Sequence, residues 1–265
     1  MEMLINDNIT AIYNKQRTSL SEKKVISEDL YNNRELENNK SAQLKNVGIG
    51  ICSTLGVVAS LALLSKFDKS HKYTLNPLKI LKSNLKNSYL LNTKYKTKEI
   101  VTMGAGSITG GLLGGYIFDD KSNMNAKVRE GIVQICNITF PIALVEGLSV
   151  LGTKVSDKLM PNWSKSKNVF KRITTKLPAT AGAIIGLITG MYIGNKTSNK
   201  LNEKVFKVKD DRPIKWTDFS AHVDDIGVAA TFIADDNIIT NSIRRLIPAA
   251  LVVPGYETGI KKEVK

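Results

Sequence analysis

Two cysteines and two histidines are the only thiols and imidazoles in a chain of 265 residues. Cys52 and Cys136 lie inside apolar runs and share no CxxC or Cys/His spacing, which excludes a zinc module and a disulfide framework. Apolar surroundings raise a thiol's pKa, so neither is a credible nucleophile. His71 and His222 have no nucleophile elbow beside them, and nothing points to an enzyme. EF-hand and His-x-x-x-His spacings are missing too, so no metal or other cofactor is implied. Aromatics make up only 6% of the chain, and arginine supplies 7 of the 38 basic residues. The net charge of +14 is therefore almost wholly lysine, and 22 asparagines accompany it, a bias that an A/T-rich genome produces. The lysines lie between apolar runs and do not gather on one face with interleaved aromatics. Nucleic acid is disfavoured as a partner. Residues 1–8 are neither basic nor followed by an apolar stretch, so no signal peptide is visible.

What the chain does have is long uncharged runs. Residues 47–65 and 100–118 are 19 residues each without a charge, and residues 177–193 are 17 without one. Residues 131–151 are 21 with a single carboxylate, Glu146. At 1.5 Å rise per residue, 19 residues reach about 28 Å, close to the ~30 Å hydrocarbon core of a bilayer. Four such runs read as membrane-spanning helices, since amphipathic partners to cover them in a soluble bundle are scarce. Ahead of them, residues 1–46 carry seven basic and seven acidic side chains and read as a polar helical extension. Beyond them, residues 201–265 hold two broken apolar stretches, read as short or re-entrant helices or as an interfacial pair.

The second and fourth runs align at an offset of 76, with Gly106/Gly182, Gly110/Gly186, Gly114/Gly190, Tyr116/Tyr192 and Ile117/Ile193 among eight identities over 18 positions. The first and third align more weakly at an offset of 84, through Cys52/Cys136, Ala59/Ala143, Leu64/Leu148 and four others over 27 positions. The fold expected is an all-α, multi-pass transmembrane helical bundle built from a duplicated two-helix hairpin. Residues 47–130 form the first hairpin and residues 131–200 the second. Gly255, Tyr256 and Gly259 echo Gly190, Tyr192 and Gly194, which suggests a degenerate third copy.

Glycines recur every fourth residue at Gly106, Gly110 and Gly114, and again at Gly182, Gly186, Gly190 and Gly194. On a helix each set makes a stripe without side chains, where a second backbone can approach closely; in lipid, that contact replaces the hydrophobic drive. Gly48 and Gly152 fall outside the stripes, so alanine there is expected to do far less damage than leucine at Gly110 or Gly186. The spacing resembles the glycine-zipper segments of uncharacterised bacterial multi-pass membrane proteins, as does the segment at 218–225 (DFSAHVDD) with Gly255-Tyr256. That resemblance implies tight helix packing, oligomers and a bacterial cytoplasmic membrane, and it carries no activity.

Polar side chains inside the runs are few. Glu146 and Asn137 are the candidate intramembrane polar site, with Gln134 and Thr139 nearby and Pro141 freeing a backbone carbonyl in the same helix. A polar helix–helix contact is the favoured role for Glu146. Asp224, Asp225, Asp235 and Asp236 with His222 read as helix-start carboxylates in preference to a metal site. The loops at 66–99 and 152–176 are strongly basic, and Leu78, Leu81, Leu85 and Tyr89, like Val169, Ile173 and Leu177, suit short interfacial helices on anionic lipid headgroups. The same bias puts these loops in the cytoplasm. The reading that results is a non-enzymatic membrane scaffold or subunit, with the bilayer, further copies of itself or other membrane proteins as partners. The alternative is permeation of a small solute or ion through the repeat interface. The chain is expected to stay in the membrane fraction through high salt and alkaline carbonate; release into the soluble fraction ends the multi-pass reading.

Overall fold

The computed structural model describes residues 39–66, 97–209, 212–222 and 246–263. Among them the structure is helical, with no strand. Five α-helices are present: α1 at Asn39–Lys66, α2 at Thr97–Phe118, α3 at Met124–Leu159, α4 at Val169–Phe206 and α5 at Val252–Ile260. A helical stretch at 246–250 leads into α5, and a 3₁₀ segment at Trp216–His222 lies between α4 and α5. Helices α1 to α4 are each long and apolar enough to cross a membrane, by length and composition. The chain divides into two compact units, Met1–Val47 and Gly48–Lys265, and the contacts that follow are all within the second.

Three local features shape this arrangement. α2 and α3 are joined by a single 3₁₀ turn at Lys121–Asn123, capped where Asp120 Oδ1 accepts from Ser122 N at 2.9 Å. α3 and α4 are joined by residues 160–168, which include Asn162 in the left-handed region (φ 67°); Asn168 then caps α4 by accepting from Phe170 N at 2.9 Å. At 36 and 38 residues, α3 and α4 are about 54 and 57 Å long, so both project well beyond their apolar centres. Val169, Ile173 and Leu177 form the opening turns of α4 itself and not a separate interfacial helix. The counterpart at Leu78–Tyr89 and the carboxylates Asp224, Asp225, Asp235 and Asp236 lie outside the described residues.

Glycine decides which helices touch. A methyl added at Gly106 would collide with Ser60 Oγ and the Gly56 carbonyl, one at Gly110 with the Cys52 carbonyl, and one at Gly114 with Ile49 and Cys52. That face of α2 belongs to α1. A second face, through Ser107, Gly111 and Gly115, belongs to α5: Gly111 meets the Gly255 backbone, and Ser107 Oγ donates to Val252 O at 3.2 Å. On α4, Gly182, Gly186, Gly190 and Gly194 meet Leu148, Leu144, Pro141 and Cys136 of α3 in turn. A core of Val57, Leu61, Ile100, Met103, Ile138, Ile142, Ala221, Ile247 and Leu251 fills the space between α1, α2, α3 and the C-terminal segments.

Two expectations need correction. Gly152 is a contact glycine: its added methyl would collide with the Pro178 carbonyl, and at Gly48 it would meet the Phe118 ring at 2.8 Å. The two hairpins also differ in register. Gly110 lies on Cys52, so the two sequence offsets would put Cys136 on Gly186; Cys136 lies instead on Gly194, and Leu144 takes its place. Eight residues is a slip of about 12 Å along the helix. The hairpins share a glycine face, not a register.

An internal control is available in Gly147, where nothing lies within 4 Å of an added methyl. In detergent melts, Gly147→Ala is expected to gain up to about 1 kcal/mol from helix propensity. Gly110→Ala, Gly186→Ala and Gly152→Ala are each expected to lose about 1–3 kcal/mol through overpacking. Equal melting of all four variants would remove the glycine contacts as a source of stability.

Candidate functional site

Charge is buried at the end of the bundle where the α2–α3 turn, the last turns of α4 and the end of α5 meet. Its centre is Arg212, on the segment after α4 and only 5% exposed. All five guanidinium N–H groups are used. Nε and Nη2 donate to Glu130 Oε2 and Oε1 at 2.9 and 2.6 Å. Nη1 and Nη2 donate to Asp218 Oδ2 and Oδ1 at 2.9 and 2.8 Å, and Nη1 also reaches Pro213 O at 3.1 Å. Two bidentate forks on one guanidinium fix both carboxylates in its plane. Burial alone would favour loss of the Arg212 proton, but the bonds to Asp218 and Glu130 outweigh it and hold its pKa above the ordinary arginine value.

Neighbours complete the cluster. Gln134 Nε2 donates to Glu130 Oε1 at 3.0 Å and to Asp218 Oδ1 at 3.2 Å. The Lys261 ammonium lies 3.2 Å from Glu130 Oε2, and Lys215 N donates to Asp218 Oδ2 at 2.8 Å. The Arg212 carbonyl accepts from Asn195 and Asn199 of α4 at 2.9 and 3.2 Å. One residue thus ties α3, α4 and the 3₁₀ segment together. Relative to apolar packing such a cluster adds little net stability, but losing one partner strands a buried charge at a cost of about 3–5 kcal/mol.

A second buried cation stands beside it. Lys127 on α3 is fully buried and donates to Asp119 Oδ2 at 2.7 Å, Gly259 O at 2.6 Å and Lys261 O at 2.9 Å. The ammonium caps the carbonyl end of α5, where helical partners run out and the dipole favours positive charge. Burial pushes the Asp119 carboxyl up, but the hydrogen bonds and charge of Lys127, with help from Asp120 N and Asn123, hold it below the usual carboxylate range. Its contribution to stability is therefore present above the ordinary carboxylate pKa and lost as pH falls through the lowered one.

Deeper in the bundle, Pro141 has no N–H to return to the carbonyl of Asn137, four residues earlier on α3. His222 fills that gap, with Nε2 at 2.7 Å from Asn137 O. A carbonyl can only accept, so Nε2 carries the proton. The Asn137 side chain is 1% exposed, and neither of its amide atoms finds a partner among the described residues. Glu146, by contrast, is exposed on α3, where Thr97 Oγ1 of α2 donates to Oε2 at 3.0 Å. It is a helix–helix contact. Nine residues of α3 separate the two, which puts them on opposite faces and about 13 Å apart. Among the described residues, no three His, Cys, Asp or Glu side chains are grouped so as to hold a metal.

The ion cluster joins residues 82 and 6 positions apart in sequence, and Arg212 stands among seven basic residues at 195–215 with nothing to single it out. The sequence marked only Gln134 and the 218–225 segment; Gln134 and Asp218 join the ion cluster, and His222 is buried deeper, at Asn137 O. Comparison with known protein families, with curated proteins and with solved structures finds no match.

The Pro141–His222 pairing makes a double-mutant test. His222→Ala is expected to cost about 1–3 kcal/mol by stranding a buried carbonyl. In a Pro141→Ala background the helical bond to Asn137 O is restored, and the same substitution should cost less by at least about 1 kcal/mol. Additive losses in thermal melts would show that His222 does not serve that carbonyl.

Proposed function

We propose that the chain is a non-enzymatic integral membrane protein, a scaffold or subunit of a membrane assembly, in a bacterial cytoplasmic membrane. One observation carries the reading: its polar and apolar interfaces alike are built for contact. At the glycine faces one backbone rests on the next. At the bundle end Arg212 has every donor used, and Glu130 and Asp218 are each held by several partners. A bundle closed in this way holds a shape, and its exposed apolar faces on α1, α2 and α4 meet lipid, other copies of the chain or other membrane proteins. The basic loops at 66–99 and 152–176 face anionic headgroups in this reading.

The second reading is permeation of a small solute or ion along the interface of the two hairpins. It is favoured by Asn137, whose buried amide offers a donor and an acceptor at the α3–α4 seam, within 3.2 Å of a methyl added at Gly194. Reconstitution separates the two. The scaffold reading expects proteoliposomes to leak ions and small neutral solutes no faster than empty vesicles, and native mass measurements to show an oligomer or complex. A flux that vanishes in Asn137→Ala or Glu146→Gln would establish the permeation reading in its place.

A further inference from the structure

Past the last apolar turn of α4 lies an open groove of about 350 Å³, lined by Tyr192, Asn195, Lys196, Asn199, Lys200, Glu203 and Lys209. Its position on the helix follows from the four-residue repeat. Ile184, Ile188 and Tyr192 are exposed at 46%, 63% and 58%, and the next two members of the same row are Lys196 and Lys200. An apolar ridge thus runs through an aromatic residue into two ammonium groups. Lys196 Nζ sits 5.5 Å from the Tyr192 ring centroid and donates to its hydroxyl at 3.4 Å. Counting Lys196, Lys200, Lys209 and Glu203, the lining carries a net charge of +2.

Depth agrees with this chemistry. The apolar run ends at Ile193, so Lys196 stands about 4.5 Å beyond it, within the headgroup layer, and Lys200 about 10.5 Å beyond it, just past that layer's outer edge. One wall is rigid, because Asn195 and Asn199 donate their amide nitrogens to the Arg212 carbonyl. That orientation leaves both Oδ1 atoms buried without a partner among the described residues.

We propose that this groove binds the headgroup of an acidic phospholipid. The phosphate lies on Lys196 and Lys200, beside the Tyr192 ring, and an acyl chain follows Ile188 and Ile184. The site is on the opposite end of α4 from the basic loop at 152–176, and it rests on the membrane reading, which carbonate extraction tests separately.

The test is titration of phosphatidylglycerol onto the full chain in neutral detergent, read by native mass spectrometry. Wild type should take up phosphatidylglycerol in preference to phosphatidylcholine. At about fivefold per lysine, K196Q/K200Q should weaken that binding about 30-fold. E203Q should tighten it. K40Q/K45Q makes the same change in net charge at exposed positions outside the groove and should stay within about threefold of wild type. An equal loss in K40Q/K45Q would reduce the effect to overall charge, and equal uptake of phosphatidylcholine would reduce it to the apolar ridge. Glycerol phosphate that competes as well as the lipid would make it a soluble-anion site. Any of these overturns the proposal. A protein that stays in the membrane under carbonate but shows no lipid preference fails here without failing the membrane reading.

Discussion

Backbone-to-backbone contact sets the terms for the rest of this structure. Dispersion falls off within an ångström, so two helix backbones gain from it only where no bulky side chain holds them apart. α2 meets that requirement on two faces at once, with Gly106, Gly110 and Gly114 toward α1 and Gly111 and Gly115 toward α5. α4 meets it once, toward α3. The two pairings are then joined through the short α2–α3 turn and the core around Met103 and Ile138. Serine hydroxyls reinforce the seams without adding bulk: Ser60 Oγ donates to Thr102 O and Ser156 Oγ to Thr175 O, at 3.1 and 2.6 Å.

The C-terminal segment depends on that packing and then locks it. Helices α3 and α4 project beyond their apolar centres, and their polar ends supply Glu130, Gln134, Asn195 and Asn199 for Arg212 to tie together. From there the 3₁₀ segment carries Asp218 to the ion cluster and His222 to the carbonyl that Pro141 leaves open. A polar segment is tolerated against apolar helices because almost every donor it brings meets an acceptor already waiting. Lys127 does the same for α5, whose last carbonyls would otherwise be buried unpaired.

The legible part of the sequence was the part written in short periods. Four uncharged runs and two four-residue glycine repeats need only one helix to be read, and the structure places each stripe on a single neighbour. Pro141 announced a free carbonyl for the same reason. What takes that carbonyl lies 85 residues away, and no local pattern links the two. Arg212 was hidden in the same way, one cation among many until Glu130 and Asp218 close on it. Glu146 drew attention because a charge in an apolar run is conspicuous, yet its place on the helix surface depends on rotation, which one residue cannot report. The internal alignment erred by extending a resemblance of helices to a resemblance of pairing. Glycine stripes tolerate sliding by whole turns, so matching sequence does not fix which turn meets which.

The second glycine face of α2 has a consequence for how the protein is made. Gly111 rests on Gly255, which leaves the ribosome 144 residues later. At 5–20 residues per second that is a delay of roughly 7 to 30 s. Through that interval α2 has its α1 partner and its α3 neighbour, but the face meant for α5 is bare, and so is the Lys127 ammonium meant for α5's last carbonyls. The nascent bundle therefore waits for α5 before this face can close. Quality control during synthesis would meet the protein in that half-built state, with a groove of bare backbone beside an uncapped charge.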